Sequence, residues 1–188
     1  MKSNMRNIFI SISFFIMILS FEILPNTILS KFGLTNISLL PKVFAESGND
    51  YFQKATIAVG KKDYENAIFY GEKGIKYYRK MKKTKEPKFI GLLTVVGLAK
   101  MESGNFLGAI ENFEESILIS PDSYGYSLLG SAKEKAKDFE GAIEALTKSI
   151  EAYKGSDNKM ILDLFKRRGF ARLQHGEYKG AIDDYSEA

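Results

Sequence analysis

The order of apolar and polar positions divides the chain near residue 47. Residues 8–21 run for 14 positions without a charge, behind Lys2 and Arg6 and no acid. Glu22 interrupts the run and Pro25 ends it. A basic start followed by about 7–15 apolar residues is the layout of a secretory signal, whereas a spanning helix needs about 20. Counting through Leu24 gives 17 residues with one acid inside, which is borderline for a span. A weaker stretch, FGLTNISLL, follows Lys31, and Val43 with Ala45 then places small residues where a signal peptidase reads. Ala45 is the candidate cleavage point, although Phe44 already lies twenty residues beyond Leu24. Residues 1–47 are therefore expected to be a long cleaved signal, an uncleaved anchor with its N-terminus in the cytoplasm, or a buried helix. The first two export the rest of the chain to a periplasm, lumen or extracellular space, or hold it outside the cytoplasm on an anchor. With no twin-Arg pair near the start, export would proceed unfolded through the general route.

From residue 48 the pattern takes a helical period and repeats itself. KKDYENAIFYGEKGI, SGNFLGAIENFEESI, AKDFEGAIEALTKSI and HGEYKGAIDDYSEA each hold a polar turn, then Asp, Asn or Glu, an aromatic, two residues and Ala-Ile. The anchor alanines Ala67, Ala109, Ala142 and Ala181 are 42, 33 and 39 residues apart. This resembles the tetratricopeptide repeat (TPR) family, whose unit is a helix–turn–helix of about 34 residues. Gly97, Gly104-Asn105-Phe106, Ala109, Phe113 and Pro121 match the family pattern in the second repeat. Gly130, Asp138-Phe139, Ala142 and Leu146 match in the third, and Gly169, Gly176, Tyr178, Ala181 and Tyr185 in the fourth. In the first, Ala55, Tyr64 and Ala67 fit, but Gly71 and Gly74 replace the usual bulky and small residues.

The resemblance implies an all-α fold. It is a right-handed superhelical solenoid of about four helix pairs, with repeats near 48–81, 90–123, 123–156 and an incomplete 162–188. An N-terminal hydrophobic targeting helix precedes it. The residue types agree. Small side chains at Ala55, Gly97, Gly130 and Gly169 let the first helix of each pair (A) approach the second (B), and the anchor alanines do the same from B. Aromatics at 64, 106, 139 and 178 are expected to plug the gap, each burying about 150–250 Å², with Ile68, Ile110, Ile143 and Ile182 extending the apolar stripe. One pair cannot bury its faces alone; stacking does so. The surplus over the family period falls in polar MKKTKEPK, 81–88, and KGSDNKM, 154–160, read as longer loops or helix ends. Arrays usually finish on a polar capping helix, so the last helix is expected either to associate with another molecule, a second copy included, or to belong to a truncated array.

Family members bind peptides or protein surfaces in a concave groove lined by the A helices. Carried over by position, the groove here is Phe52, Gln53 and Thr56; Thr94, Val95, Leu98 and Met101; Ser127, Leu128, Ser131 and Glu134; and Asp163, Lys166, Arg167 and Phe170. Its apolar middle suits a hydrophobic helix or extended segment. The competing expectation is that these residues pack on a neighbouring A helix or on the chain's own N-terminal segment. A clamp for acidic chaperone tails needs Lys and Asn on the first A helix, Asn on the second, and Lys and Arg on the third. The matching positions hold Phe52, Thr56, Val95, Tyr124 and Leu128, or Thr94, Leu98, Leu128, Asp163 and Arg167, and only Arg167 fits.

Composition narrows the chemistry. The 188 residues contain no Cys, so disulfides, Cys-ligated zinc, a thiol nucleophile and lipidation on Cys are excluded. One His, His175, sits in the turn of the fourth repeat and reads as an exposed turn residue. Glu114-Glu115 and Asp183-Asp184 are adjacent on helices, point in different directions, and read as solvated faces. No phosphate loop or zinc-protease motif occurs, and no cofactor is expected. The net charge of +4 is mild and no base-reading motif accompanies it, so nucleic acid is not expected as a partner. Charge concentrates instead in Lys73, Lys76, Arg79, Lys80, Lys82, Lys83, Lys85 and Lys88. That stretch reads first as a helix end complementing its dipole, and otherwise as a contact for anionic lipid headgroups. The function expected is a non-catalytic protein–protein interaction scaffold, exported or membrane-associated, aiding assembly of a membrane complex. The alternative is an accessory or regulatory domain of an enzyme complex.

Overall fold

A computed structural model describes residues 46–156 and 158–188; residues 1–45 of the expected signal or anchor, Ala45 included, lie outside them. Eight helices occupy the described residues: α1 (Gly48–Gly60), α2 (Tyr64–Lys80), α3 (Pro87–Glu102), α4 (Phe106–Ile119), α5 (Ser123–Lys135), α6 (Phe139–Ala152), α7 (Asn158–His175) and α8 (Tyr178–Glu187). No strand occurs among them, and none of these helices is long and apolar enough to cross a membrane. The A helices are α1, α3, α5 and α7; the B helices are α2, α4, α6 and α8. Each helix packs on its neighbours in the chain, and α3 also packs on α1 and α5 on α3. Contacts stay between adjacent pairs, the quasi-one-dimensional arrangement of a solenoid. Successive A helices in the first three pairs touch while α2 and α4 make no comparable contact, so the A helices form the concave layer. The surplus residues go into loop and helix alike. Loop 81–86 follows the 17-residue α2, and loop 153–157 precedes the 18-residue α7.

One device makes every A-to-B turn. Lys62, Gly104, Lys137 and Gly176 adopt the left-handed conformation, with φ of 58°, 86°, 63° and 91°. The N–H of the next residue then donates to the carbonyl five positions back: Asp63 to Ala58 (2.9 Å), Asn105 to Lys100 (2.8 Å), Asp138 to Lys133 (2.9 Å) and Glu177 to Arg172 (2.8 Å). This closes the A helix in the manner of a Schellman motif. The donor residue is also the N-cap of the B helix. Asp63, Asn105 and Asp138 accept from the N–H of Asn66, Gly108 and Gly141 at 3.2, 3.0 and 2.9 Å, satisfying donors that the first turn leaves open. The Asp or Asn ahead of the first three aromatics is thus a cap, whereas Glu177, ahead of Tyr178, makes no side-chain cap bond.

Small residues set the distance between helices. A Cβ at Gly97 would stand 2.6 Å from the Phe113 ring, and one at Gly130 would stand 2.8 Å from Leu146. The anomalous glycines of the first repeat follow the same logic: Gly71 and Gly74 are buried and receive Val96 and Leu92 of α3. The resulting core holds Phe89, Leu92, Leu93 and Val96 around Ala55, Ile75 and Tyr78, and then Phe113, Leu129, Ala132 and Ala145 around Met101 and Ala109. Ala67, Ala109, Ala142 and Ala181 are all buried. Tyr64 and Phe106 plug the notch under the following A helix, beside Ala99 and Ala132 respectively. Tyr178 and Ile182 depart from expectation at 67% and 65% exposed, because no described residue covers them.

A second departure concerns Asp184, which is 2% exposed and not a solvated face. It lies three residues past its anchor alanine, a position held by Asn112 and Ala145 in the preceding repeats, and both of those are buried too. Its carboxylate accepts from Arg168 Nη2 at 2.6 Å and from Arg168 Nε at 3.0 Å, and pairs with Arg172 Nη1 at 2.9 Å. Arg168 also donates to Thr147 Oγ1 of α6 (3.2 Å), tying the last two pairs together. Removing one member of a buried ion cluster leaves the others uncompensated.

Two outcomes are expected. Lys137→Gly removes a left-handed Lys and raises stability by about 1 kcal/mol, while Gly104→Ala lowers it by a similar amount. Opposite displacements of the urea midpoint check both. Asp184→Asn costs about 3 kcal/mol and speeds amide hydrogen exchange in α7 and α8 first; unchanged protection there would contradict the buried cluster.

Candidate functional site

Ala55, Gly97, Gly130 and Gly169 face the B helices, and the groove row carried over by position lies mainly two or three residues before and one after them. The structure grades that row by burial. Phe52 is half-buried, its ring close enough to Gly91 of α3 that a Cβ there would come within 2.8 Å. Val95 packs on the first core cluster, and Leu98 and Leu128 on the second, each half-buried. Met101 is 7% exposed and belongs to the second cluster, inside the stack and not on the groove surface. Thr94 Oγ1 donates to Ile90 O (3.1 Å) and lies 3.4 Å from buried Ser116 Oγ of α4, so it serves the A–B contact. Thr56 is exposed, and its hydroxyl returns to Phe52 O at 2.8 Å. Phe52, Val95, Leu98 and Leu128 therefore form a half-buried strip over α1, α3 and α5, packed on neighbouring helices on one side and accessible on the other.

The strip ends on polar groups between α5 and α7. Arg167 donates from Nη1 to Ser127 Oγ (2.7 Å) and from Nη2 to Ser127 O (3.0 Å) and Ser131 Oγ. Its guanidinium joins two A helices and is not held out as a free clamp. Glu134 lies near it on α5. Burial raises the Glu134 carboxyl above the ordinary value of about 4.5, with the Arg167 charge acting in the opposite direction. Among the described residues nothing donates a hydrogen bond to the Glu134 carboxylate. Asp163, Lys166 and Phe170 are exposed on α7, at the same end of the groove.

On the convex side a pocket of about 350 Å³ opens between α2 and α4, lined by Glu72, Ile75, Lys76, Arg79, Lys100, Glu111, Asn112 and Glu115. Lys100 pairs with Glu72 (3.2 Å) and Arg79 with Glu115 (2.6 Å) across it, so its charges largely cancel. Buried Asn112 leaves its Oδ1 without a partner at the pocket wall. The eight basic residues from Lys73 to Lys88 are all exposed, over the last turns of α2, loop 81–86 and the first turn of α3. His175 is exposed, 4.0 Å from Glu177. Among the described residues no group of three His, Asp or Glu side chains could hold a metal ion. Residue-by-residue reading missed Glu134's unpaired burial, Asn112 and Asp184. For the last two a signal was available: each stands at the third position after an anchor alanine, where the neighbouring repeat has buried Ala145.

The tetratricopeptide repeat model matches residues 51–81 and 124–155, the first and third helix pairs. A search of curated proteins finds no match. Among solved structures, the chain is similar to MamA (residue 41 to the end) from Desulfovibrio magneticus RS-1. The identity is 17% and the TM-score 0.65, over 86% of this chain and 88% of that one. A second MamA structure is 23% identical with a TM-score of 0.62, over 74% and 70%. A putative kinesin light chain with nearly identical TPR-like repeats from Podosopora anserina is 13% identical with a TM-score of 0.65, over 85% and 87%. At these identities the likeness is one of fold. With the matches at residues 51–81 and 124–155 and the repeated turns, caps and helix contacts, it identifies the chain as one that carries tetratricopeptide repeats.

Proposed function

We propose that the array is a protein–protein interaction scaffold whose concave groove holds an apolar segment of a partner, with residues 8–24 exporting it or tethering it to a membrane. The observation that supports the groove is the half-buried strip of Phe52, Val95, Leu98 and Leu128. Helices α1, α3 and α5 hold these side chains from behind, so covering their outer faces removes apolar area from water at little further cost in side-chain entropy. The strip runs across three adjacent A helices, which suits a short helix or an extended segment. At its end Glu134 offers a carboxylate that burial disfavours and no described donor relieves. A partner N–H or hydroxyl placed there gains more than it would in open water. The membrane tether rests on the uncharged run of residues 8–21 behind Lys2 and Arg6.

Peptides selected by display on the full chain test the groove. They are expected to be apolar and to lose at least tenfold in affinity (about 1.4 kcal/mol) on Leu98→Asp and on Leu128→Asp. Thr56→Arg, an exposed position that leaves the core untouched, should weaken binding without moving the thermal midpoint. Peptides that bind all three variants unchanged would remove the groove from consideration. Glu134 gives a separate expectation. Its raised pKa means that the folded state holds this proton more tightly than the unfolded state. Its contribution to stability therefore falls as pH rises from about 4.5 through the folded value. Glu134→Gln should remove that fall, so urea midpoints of variant and wild type diverge in favour of the variant between pH 4 and pH 7.

A further inference from the structure

We infer that the corner where α1 begins, α2 ends and α3 begins is a docking surface for an anionic lipid bilayer. The sixteen residues 73–88 hold eight basic side chains and one acid; from totals of 27 and 23, the rest of the chain keeps 19 basic and 22 acidic residues. The positive excess of the whole protein is thus local to this corner. Only part of it is neutralised: Lys83 pairs with Glu86 (3.0 Å) and Arg79 with Glu115 (2.6 Å), while Lys80, Lys82 and Lys85 have no carboxylate partner among the described residues.

Helix-dipole compensation accounts for Arg79 and Lys80, in the last turn of α2. It does not account for Lys82, Lys83 and Lys85, which lie beyond that helix. It is opposed by Lys88, in the first turn of α3, where a cation faces the positive end of the dipole. The loop also has a fixed form. Lys82 takes φ of 55° and Lys83 N–H donates to Tyr78 O at 2.9 Å, so the lysines stand on a built turn.

The second observation is where the chain enters. Gly48, the first residue of α1, lies against Tyr77 and Tyr78 so closely that a Cβ there would come within 2.6 Å of the Tyr78 ring. Lys88 Nζ donates to Asn49 Oδ1 at 2.6 Å. The first turn of α1 is therefore pinned among the basic residues. The polypeptide that joins it from residue 45 reaches the fold at this corner and not at the opposite ends of the helices, where Ser103 and Gly104 lie. An apolar run of residues 8–24 is expected in that upstream polypeptide, and a basic surface at the point of attachment is the arrangement that anionic headgroups reward. Met81, half exposed in the same turn, adds an apolar side chain to the face. The occupant of the groove does not enter this inference. The tether does only through its place of attachment.

The absence of Cys in the chain permits single-site labelling. The full chain is labelled with an environment-sensitive dye at Thr84→Cys, or at Ser103→Cys as the control. It is then mixed with phosphatidylcholine vesicles, or with the same vesicles containing about 30% phosphatidylglycerol. The dye at 84 should shift only with the anionic vesicles, and the shift should reverse in about 0.5 M salt, where screening is short-ranged. The dye at 103 should not shift. Replacing Lys80, Lys82, Lys83 and Lys85 together by Gln should reduce the shift at 84 at least about fivefold, since each basic residue near such a surface contributes roughly fivefold in affinity. An equal shift on both vesicle types, an equal shift at 103, a shift that survives the Gln changes, or a shift with single-stranded RNA and none with vesicles would each overturn the inference. Sedimentation of the labelled chain reports the tether independently: failure to pellet with phosphatidylcholine alone counts against residues 8–24 as an anchor and leaves the dye readout at 84 to decide the corner.

Discussion

Everything in the array depends on the approach of each A helix to its B helix at a small residue. Where Gly97 and Gly130 leave out a side chain, Phe113 and Leu146 fill the space, and a single methyl would collide with them. That contact fixes the depth of the pair, and depth fixes where the next A helix can rest. Val96 and Leu92 of α3 then settle on Gly71 and Gly74 of α2. The first repeat reads as irregular because its glycines stand on the B helix. There they admit the neighbouring repeat's bulky residues, whereas Gly97 and Gly130 admit a partner from their own pair. The same close packing is used from the opposite side.

Curvature follows from the same inventory. Small residues face inward between A and B, and A helices of the first three pairs touch one another while α2 and α4 stay apart, bridged by Arg79–Glu115 and opened into a charged pocket. A layer whose members touch is the inner layer of a bent stack. The groove is thus a consequence of side-chain volumes along the chain, and its lining residues are those left over after the helix contacts have taken theirs.

This explains which features were legible in the sequence. The alanines at 67, 109, 142 and 181 and the turns at Gly104 and Gly176 recur at the repeat period, so position alone identified them; Asp63, Asn105 and Asp138 recur with them, but their capping role comes from the structure. The register reached further than residue chemistry suggested. Lys62 and Lys137 occupy the left-handed place of Gly104, and Asp184 occupies the buried place of Ala145, although a Lys and an Asp look like surface residues in isolation. What no register supplied were interactions between repeats. Arg167 meets Ser127 forty residues away, and Arg168 reaches both Thr147 and Asp184. Met101 and Thr94 stand at groove positions by count, but the second core cluster covers the one and a Ser116 hydroxyl draws in the other.

Charge completes the division of surfaces. The groove is apolar over α1, α3 and α5 and ends on the mixed charges of Glu134, Asp163, Lys166 and Arg167, so it selects neither an acidic nor a basic surface along most of its length. The corner at residues 73–88 is strongly basic and lies at the ends of the helices, not on the face that lines the groove. A ligand covering the groove side chains and a flat anionic surface at the helix ends make different demands on different atoms: burial of Val95, Leu98 and Leu128 in the one case, and neutralisation of Lys80, Lys82 and Lys85 in the other. Because the first turn of α1 is pinned beside Tyr77, Tyr78 and Lys88, any attachment through the upstream chain fixes which end of the helices is held. A solenoid held by its helix ends keeps its inner face free, and that is the geometry a tethered scaffold needs if holding the array and holding a partner are not to compete.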